Sequence, residues 1–547
     1  MFRDLLSLTS FVLCALPSLA QPQRAAVPLP RPGEVRAVHA FNIARSNPLQ
    51  LHAFLLRMPK GADLHMHLSG AIYAETLLLD AQADLLCVDT KSLSLVKNVG
   101  TTRSIPPQPV CGDGSVPAAS AFKDQHLYNA LVDSFSMRSF VPTAGFSGHD
   151  QFFSTFSRFG AIDKSHVGEW LDEIATRAAS QNEQYLEIMQ TPHSPNAVRL
   201  ASEIVWPHPA PAMLSLFAQD TTGTSPGELA TLRDQILSGG LREDVAADRR
   251  EFAEALAARN SIEHCGQPGA SPACSVEIRF LFQVLRSNQP QLVFAQTLLA
   301  FEVAAAEAAT THPTVVGLNF VQPEDDFLAM AEYTRQMRML DYLHTTYPRV
   351  HIALHAGELA PGLVPPSGLR FHIREAVDLG HAERIGHGVD IMYENDPEAL
   401  LKEMAERHVM VEINLTSNEI ILGVSLNRHS LPAYRASKVP TALSTDDEGV
   451  SRIDLTHEYA RASADFNLGY LDLKKMARTS LEHSFLPGAS LWMTQDNFVR
   501  VNPACAGPHL GSGNPSLRCT EFLRLNQKAA EQWQLEHRYM TFESTLP

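Results

Sequence analysis

Short apolar runs separated by helical patterns dominate the chain from about Met58 onward. Between the later runs, residues 327–347 and 370–379 carry apolar side chains at helical spacing. Since strands and helices alternate there, the pattern predicts repeated βα units. The apolar runs with the length and composition of buried strands cover residues 61–67, 185–189, 276–282, 314–320, 350–355, 384–387, 409–415 and 440–445.

The ends of the four late strands recur at a nearly constant interval. The reference residues His355, His387, Ser417 and Asp446 are separated by 32, 30 and 29 positions. This interval matches the length of one βα unit, about 30 residues. Eight predicted strands in such units predict an α/β fold, a closed (β/α)8 TIM-type barrel. The expected organisation is a partly helical N-terminal extension over 21–57, the barrel over 58–487, insertions near 68–184 and 190–275 after the first two strands, and a C-terminal extension over 488–547.

The first twenty residues have the pattern of a secretory signal peptide. A basic start is followed by an apolar run over residues 5–16, and the small residues Ser18 and Ala20 precede Gln21. A membrane anchor is the alternative, but the run is shorter than the ~20 apolar residues that span a bilayer. We therefore predict cleavage after Ala20, a secreted or periplasmic location and no membrane anchor in the mature protein.

Composition and charge narrow the class of protein. With 45% hydrophobic and 19% charged residues, the 547-residue chain can bury a large core and is not a disordered protein. Its formal charge of −16 argues against a broad phosphate-binding surface, so no nucleic acid partner is expected. Removal of residues 1–20 would take away one of seven cysteines. The remaining six allow 15 pairings, of which the short separations favour Cys87–Cys111, Cys265–Cys274 and Cys505–Cys519.

Polar segments follow several predicted strands at the carboxyl end, where barrel enzymes gather their catalytic groups. In the first segment His65 and His67 are two residues apart on a strand, so both side chains point to the same side. Imidazole and carboxylate ligands suit a divalent metal, most simply one Zn²⁺ per chain with an open position for a water molecule, which predicts metal-assisted hydrolysis. The candidate residues are His65, His67, His355, Glu358, His387, Asp446 and Asp447.

Five segments in this order resemble the motifs of the adenosine deaminase family within the metal-dependent hydrolase superfamily. They are residues 58–71 (MPKGADLHMHLSGA), HAGE at 355–358, IGHG at 385–388, TSN at 416–418 and STDD at 444–447. The signal peptide and the N-terminal extension resemble the secreted, adenosine deaminase growth factor-like branch of this family.

The resemblance implies zinc-dependent deamination of adenosine, and of 2′-deoxyadenosine, to inosine and ammonia. Glu358 would donate a proton to purine N1 while hydroxide adds to C6, so this carboxyl group is expected to be largely desolvated. His387 would orient and deprotonate the water, and Asp447 would hold N7. The resemblance assigns the metal to His65, His67, His355 and Asp446, catalysis to Glu358, His387 and Asp447, and substrate binding to Asp447, Gly317 and Ser69.

Two positions expected to contact the substrate depart from the family pattern. Ser69 stands where the family often has an aspartate that meets the ribose 5′-hydroxyl, and Gln322 stands where it has a glycine whose N–H meets purine N3. Glu324 is either a residue of this site or part of an exposed acidic turn. Thr416, Ser417 and Asn418 are ordinary turn or cap residues after a strand and receive no catalytic role.

Other functions are weighed against deamination of adenosine. Residues 223–227 match the G-x-S-x-G elbow of serine hydrolases, but Pro226 lacks the N–H that the oxyanion hole requires, so a loop followed by a helix start is favoured. A barrel metallohydrolase that deaminates another aminopurine or a modified adenine nucleoside stays open. A secreted binding or growth-factor-like module is a further alternative. A homodimer is possible for either function.

Overall fold

The computed structural model describes residues 31–162, 164–206, 223–507 and 510–547. The predicted signal peptide, including Cys14, lies outside these residues. Eight parallel strands form one sheet in chain order, and the last returns to the first through a bridge between Met66 and Asp446, so the predicted (β/α)8 barrel is confirmed. The strands are β1 (Gly61–His67), β2 (Glu183–Gln190), β3 (Glu277–Leu285), β4 (Val315–Val321), β5 (His351–Ala356), β6 (Arg384–His387), β7 (Met410–Ile413) and β8 (Thr441–Leu443).

The strands are buried on both faces, as a parallel sheet inside a ring of helices requires. Every residue of β4 is buried, and the helix Pro290–Glu307 packs its apolar residues against this part of the sheet. The α-helices span Pro32–Ala44, Pro48–Arg57, Ala74–Ala83, Gln125–Ser134, Gly148–Phe159, Val167–Ser180, Pro195–Glu203, Pro226–Ile236, Arg242–Ile262, Pro290–Glu307, Phe327–Ala331, Tyr333–Thr346, His372–Asp378, Pro397–Glu406, Leu415–Leu422, Leu431–Ala436, Glu448–Ser451, Leu455–Phe466, Tyr470–Glu482, Leu517–Leu525 and Gln527–Ser544.

Two helices expected to be continuous are interrupted. The helical pattern that begins near residue 35 divides at Asn47, whose side chain accepts hydrogen bonds from the N–H groups of Leu49 and Gln50, while Pro48 begins the new helix. The pattern over 327–347 divides at Glu332, where the backbone leaves the helical conformation (φ −104°, ψ 4°). The first pair of helices packs against the main core, whereas Met330 of Phe327–Ala331 packs in a small separate cluster with Leu359 and Val364.

The segment between β1 and β2 carries a small antiparallel sheet and the helix Gly148–Phe159. The sheet pairs Cys87–Asp89 with Ser94–Val96 and with Ser115–Pro117, and a disulfide joins Cys87 to Cys111. Between β2 and β3 the described residues, 191–206 and 223–276, are mainly helical and contain the second disulfide, Cys265–Cys274.

The G-x-S-x-G segment is a helix start, as expected. Ser225 caps the helix Pro226–Ile236 through a hydrogen bond with the N–H of Glu228, whose side chain accepts from the Ser225 N–H in return. Ser225 therefore serves as a helix cap, and Pro226 after it has no N–H to offer an oxyanion hole.

The C-terminal segment packs across the N-terminal end of the barrel strands. A hairpin of Trp492–Thr494 and Asn497–Val501 precedes the last two helices, and the third disulfide joins Cys505 to Cys519. The Tyr539 hydroxyl donates a hydrogen bond to the Pro59 carbonyl just before β1. All three predicted disulfide pairings are therefore confirmed. Within the described residues, no helix combines the length and the apolar character needed to cross a bilayer.

Candidate active site

The four residues predicted to bind metal meet at the carboxyl end of the barrel. His65 and His67 extend from β1, His355 from β5, and Asp446 follows β8. The distance from His67 Nε2 to His355 Nε2 is 3.2 Å, and Asp446 Oδ1 lies 3.3 Å from His67 Nε2 and 3.5 Å from His65 Nε2. His387 Nε2 is 4.0 Å from Asp446 Oδ2, so this fourth imidazole borders the same point.

Each imidazole of the cluster is held through its Nδ1 atom by an oxygen of a neighbouring strand or helix. For His65 the acceptor is a carboxylate, which can only accept, so the proton must reside on Nδ1 and the Nε2 lone pair points inward. With the proton on Nδ1, the Nε2 atom of each imidazole is available to bind a cation. The contacts are His65 with Glu412 (2.6 Å), His67 with Gln283 (3.0 Å), His355 with Asn319 (2.9 Å) and His387 with Asn418 (2.8 Å).

The cluster fits a divalent metal ion. Among the described residues, His65 Nε2 and His387 Nε2 are buried without a hydrogen-bond partner. The Nε2 atoms of His67 and His355 face each other at 3.2 Å, and two neutral imidazoles in this position can bind one cation between them. By distance, His387 groups with His65, His355 and Asp446, while His67 groups with Asp446 and Asp447. His387 is thus as well placed as the four predicted ligands.

Several residues without an assigned role hold the cluster in place. The Ser417 hydroxyl donates to Asp446 Oδ2 at 2.6 Å, and Asn418 binds His387, so two of the three residues taken as turn residues support the site. Glu412 also accepts from Arg384 Nε at 2.6 Å. A buried glutamate inside the apolar strand β7 was the available signal in the sequence.

Glu358 has the environment of a protonated carboxylic acid. Its side chain is 6% exposed, and burial, together with the negative charges of Asp446 and Glu324, raises the pKa well above its usual range. The predicted desolvation of Glu358 is therefore confirmed. His387 Nε2 lies 3.6 Å from Glu358 Oε1, and burial lowers the pKa of this imidazole to about 4, so at neutral pH it can accept a proton.

A cavity of about 330 Å³ opens above the cluster, within the size range of small-molecule sites. The helix Gly148–Phe159, hereafter the lid helix, covers it with three phenylalanines. This wall was missed because its residues belong to the first insertion, far from the barrel motifs. The lining residues are His67, Phe152, Phe153, Phe156, Gln283, Leu285, Val321, Gln322, Pro323, His355, Glu358, Asp446 and Asp447.

Comparison with known proteins relates the later strands of the barrel to one family. The family model described as adenosine deaminase matches residues 257–492, which contain β3 to β8. A curated adenosine deaminase from Clostridium perfringens is 30% identical over 168 residues, which are 30% of this chain and 43% of that protein. The chain is thus similar to the adenosine deaminase family over residues 257–492, less than half of its length. It spans less than half the length of this relative.

Solved structures of lower similarity include other deaminases. An adenine deaminase from Arthrobacter aurescens aligns with a TM-score of 0.46 and 15% identity over 78% of this chain and 94% of that chain. An N6-methyl-AMP deaminase from Arabidopsis thaliana aligns with a TM-score of 0.45 and 18% identity over 80% of this chain and 94% of that chain.

The predicted substrate residues lie at different distances from the cavity. Asp447 lines the cavity, and burial raises its pKa to about 8. Ser69 is half-buried just after β1 and is not a lining residue. Gly317 lies within β4 against Phe485 and the His351 carbonyl, five residues or ~16 Å before Gln322. The structure therefore does not bring Gly317 to the cavity, because only the carboxyl end of β4 reaches it.

The structure explains two residues that follow β4, Gln322 and Glu324. Gln322 lines the cavity with φ of +84°, a left-handed conformation that glycine adopts easily, and its side chain turns away to accept from the Ser287 N–H at 2.9 Å. Glu324 is 1% exposed, so the alternative of an exposed acidic turn is wrong. Its carboxylate instead accepts from the N–H groups of Gly357 and Glu358.

Proposed function

We propose that this protein is an adenosine deaminase that hydrolyses the C6 amino group of adenosine and 2′-deoxyadenosine to give inosine and ammonia. The observation that carries the proposal is a buried Glu358, whose pKa is raised well above its usual range, facing a substrate-sized cavity beside a cluster of four imidazoles and Asp446. A general acid at that point matches the need of an aminopurine, whose ring nitrogen must gain a proton when C6 is attacked.

The proposed cofactor is one Zn²⁺, held by His65, His67, His355 and Asp446. Three imidazole nitrogens and one carboxylate oxygen form a ligand set that binds zinc in preference to magnesium or calcium. When bound, zinc lowers the pKa of a water molecule toward neutrality. Glu412 and Asn319 orient two of the imidazoles from behind, and Ser417 orients Asp446.

The residues of the chain divide the proton transfers among them. His387 takes one proton from the attacking water, and Glu358 donates its proton to N1 as the oxygen adds to C6. His387 then passes its proton to the amino group, which leaves as ammonia. The remaining hydroxyl proton returns to Glu358 as the C6 carbonyl forms. Asp447 donates a hydrogen bond to N7 in its protonated form, because N7 is an acceptor.

The lining of the cavity favours a neutral nucleoside over a nucleotide. Among the described lining residues there are three carboxyl groups, Glu358, Asp446 and Asp447, and no lysine or arginine. A 5′-phosphate would meet these carboxyl groups without a cation to balance its charge. The three phenylalanines of the lid helix instead offer an apolar wall for a purine ring.

We expect zinc-loaded protein to deaminate adenosine with a kcat/KM at least about 100-fold above that for AMP, because the phosphate finds no cationic partner. The measurement is ammonia release from adenosine, 2′-deoxyadenosine, adenine, N6-methyladenosine and AMP under identical conditions. Faster turnover of adenine or N6-methyladenosine would assign the alternative aminopurine substrates. Zinc-loaded protein that is inactive on the whole panel would instead support a binding module.

A substitution at Gly70 tests whether the Asp447 carboxyl group contacts the substrate. A Cβ atom on Gly70 would lie 1.6 Å from Asp447 Oδ1, so Gly70→Ala must displace that carboxyl group. We expect kcat/KM for adenosine to fall about 100-fold with metal content unchanged, since displacement of a substrate-holding group by about 1 Å has this effect. Gly227→Ala is the control, because its Cβ would meet nothing within 4 Å. Equal activity of both variants would argue against contact between Asp447 and the substrate.

The proposed location is extracytoplasmic, either secreted or periplasmic. Three disulfides support it, since such bonds persist mainly in oxidising compartments. They lie in the segment after β1, the segment after β2 and the C-terminal segment, away from the metal cluster. The pattern of residues 1–20 supports the same location.

A further inference from the structure

The loop that carries Glu358 is anchored from behind by a second, fully buried carboxylate. Glu324 Oε1 accepts from the Gly357 N–H at 3.1 Å, and Oε2 accepts from the Glu358 N–H at 2.7 Å. Glu324 follows β4, whereas Glu358 follows β5, so the contact joins the ends of two adjacent strands. Both oxygens of one side chain thus bind the backbone of the catalytic loop.

Glu324 is itself held in one position. His372 Nδ1 lies 2.6 Å from its Oε1, and the imidazole stacks on Tyr333 with ring centres 3.8 Å apart and planes 18° apart. The Tyr333 hydroxyl donates to the His372 carbonyl at 2.8 Å. Arg286 NH1 lies 4.0 Å from Glu324 Oε1 and donates to the His355 carbonyl. The carboxylate therefore sits between two basic groups that other elements keep in place.

The negative charge of Glu324 is stabilised although the group is buried. Burial alone would raise the pKa, but the hydrogen bond and charge of His372, the charge of Arg286 and the N–H of Glu358 hold the pKa of Glu324 below its usual range. An ionised carboxylate accepts hydrogen bonds from backbone N–H groups more strongly than a neutral oxygen does.

The opposite side of the loop is closed by contact. Gly357 has φ of +73°, and a Cβ atom there would lie 2.5 Å from Asp390 Oδ1 and 2.6 Å from Ile373 Cδ1. A side chain at position 357 would therefore collide with Asp390 and Ile373. The close packing and the left-handed φ together require a glycine here.

We propose that Glu324 is a positioning residue that holds the Gly357–Glu358 backbone so that the Glu358 carboxyl group stays within reach of the substrate ring. The inference rests on the proposed function for its catalytic consequence. Its structural part, the anchoring of two backbone N–H groups by one carboxylate, does not depend on any substrate. The two parts can therefore be measured separately.

The test compares Glu324→Gln with Glu307→Gln. Glutamine keeps the size of the side chain but replaces one accepting oxygen by an NH₂ donor, so one backbone N–H loses its acceptor. Glu307 is a matched control at the other end of β4: it is also buried and accepts from a backbone N–H, that of Thr314, and from Arg249 Nε. Both variants are measured as metal-loaded, full-length protein.

For Glu324→Gln we expect amide hydrogen exchange at residues 357–358 to accelerate at least about tenfold, because their opening loses a charge-assisted hydrogen bond. We also expect kcat for adenosine to fall about 10- to 100-fold while KM changes less than about twofold, since the acid is displaced but the cavity is unchanged. Metal content should stay at the wild-type value. Glu307→Gln should alter neither the exchange at 357–358 nor kcat.

The outcomes separate the inference from the proposed function. Unchanged exchange at 357–358 and unchanged kcat in Glu324→Gln would overturn the inference, as would equal effects in Glu307→Gln. Faster exchange in a protein whose wild type deaminates no aminopurine would reject the proposed function and retain the anchoring role.

If Glu324→Gln does not fold, two His372 variants test whether Glu324 anchors the 357–358 backbone. His372→Asn keeps a donor near the Nδ1 position, and His372→Phe keeps the ring against Tyr333 without a donor. Slower exchange at 357–358 in His372→Asn than in His372→Phe supports the inference, and equal exchange in the two variants contradicts it.

Discussion

Replacement of Glu358 by glutamine is expected to lower kcat for adenosine by about 10³- to 10⁴-fold, the range lost with a well-placed general acid. The amide has the same shape but cannot transfer a proton to purine N1. Because Glu358 is buried and protonated, the exchange of a neutral acid for a neutral amide changes no charge in the cavity. The protein should therefore remain folded and bind metal.

The measurements for this variant are steady-state kinetics, metal content and thermal unfolding. Glu307→Gln serves again as the matched control, since it makes the same exchange at a buried glutamate outside the cavity. Wild-type kcat in Glu358→Gln with metal bound would remove Glu358 from the mechanism. Loss of activity together with loss of metal would show instead that the effect is on the cluster.

Replacement of His355 by alanine is expected to abolish deamination by lowering the affinity for zinc more than about 100-fold, beyond the loss caused by removing a residue that only orients a ligand. His355 Nε2 faces His67 Nε2 at the centre of the cluster, and burial holds the pKa of His355 well below its usual range, which keeps the ligand neutral. Without this nitrogen the remaining ligands leave an incomplete coordination shell.

His351→Ala is the matched control, because His351 begins the same strand, is exposed, and stacks on Phe485 at the other end of the barrel. Zinc content is measured by elemental analysis after dialysis, and activity is measured with and without added Zn²⁺. A chelator should reduce wild-type activity to the His355→Ala level and lower the melting temperature, since a ligand that binds only the folded state stabilises it. Full zinc occupancy in His355→Ala would contradict the assignment.

The barrel could be predicted because each of its strands is visible in the local sequence. Buried parallel strands are nearly continuous apolar runs, and the reference residues His355, His387, Ser417 and Asp446 repeat at close to 30 positions. The convergence of His65, His67, His355 and Asp446 followed, because a closed barrel brings all carboxyl ends of its strands to one face. The disulfide pairings followed from short separations along the chain.

Other features depend on contacts between residues far apart in the chain. Glu412 meets His65 across 347 positions, and no local pattern connects them. The phenylalanines of the lid helix reach the cavity only because the first insertion folds back over the barrel mouth. The prediction that Gly317 binds the substrate was wrong. Gly317 lies within β4, and only the carboxyl end of that strand borders the cavity.

The sequence by itself determined the class of fold, the end of the barrel that carries the chemistry and the residue types that could hold a metal, because periodicity and spacing are properties of the chain alone. Only the tertiary structure decided which side chains complete the site: that Glu324 is buried behind Glu358, that Ser417 and Asn418 support Asp446 and His387, and that the lid helix forms the cavity wall. The physical reason is that burial and hydrogen-bond partners arise when distant segments pack together, and they decide the protonation and orientation of each group.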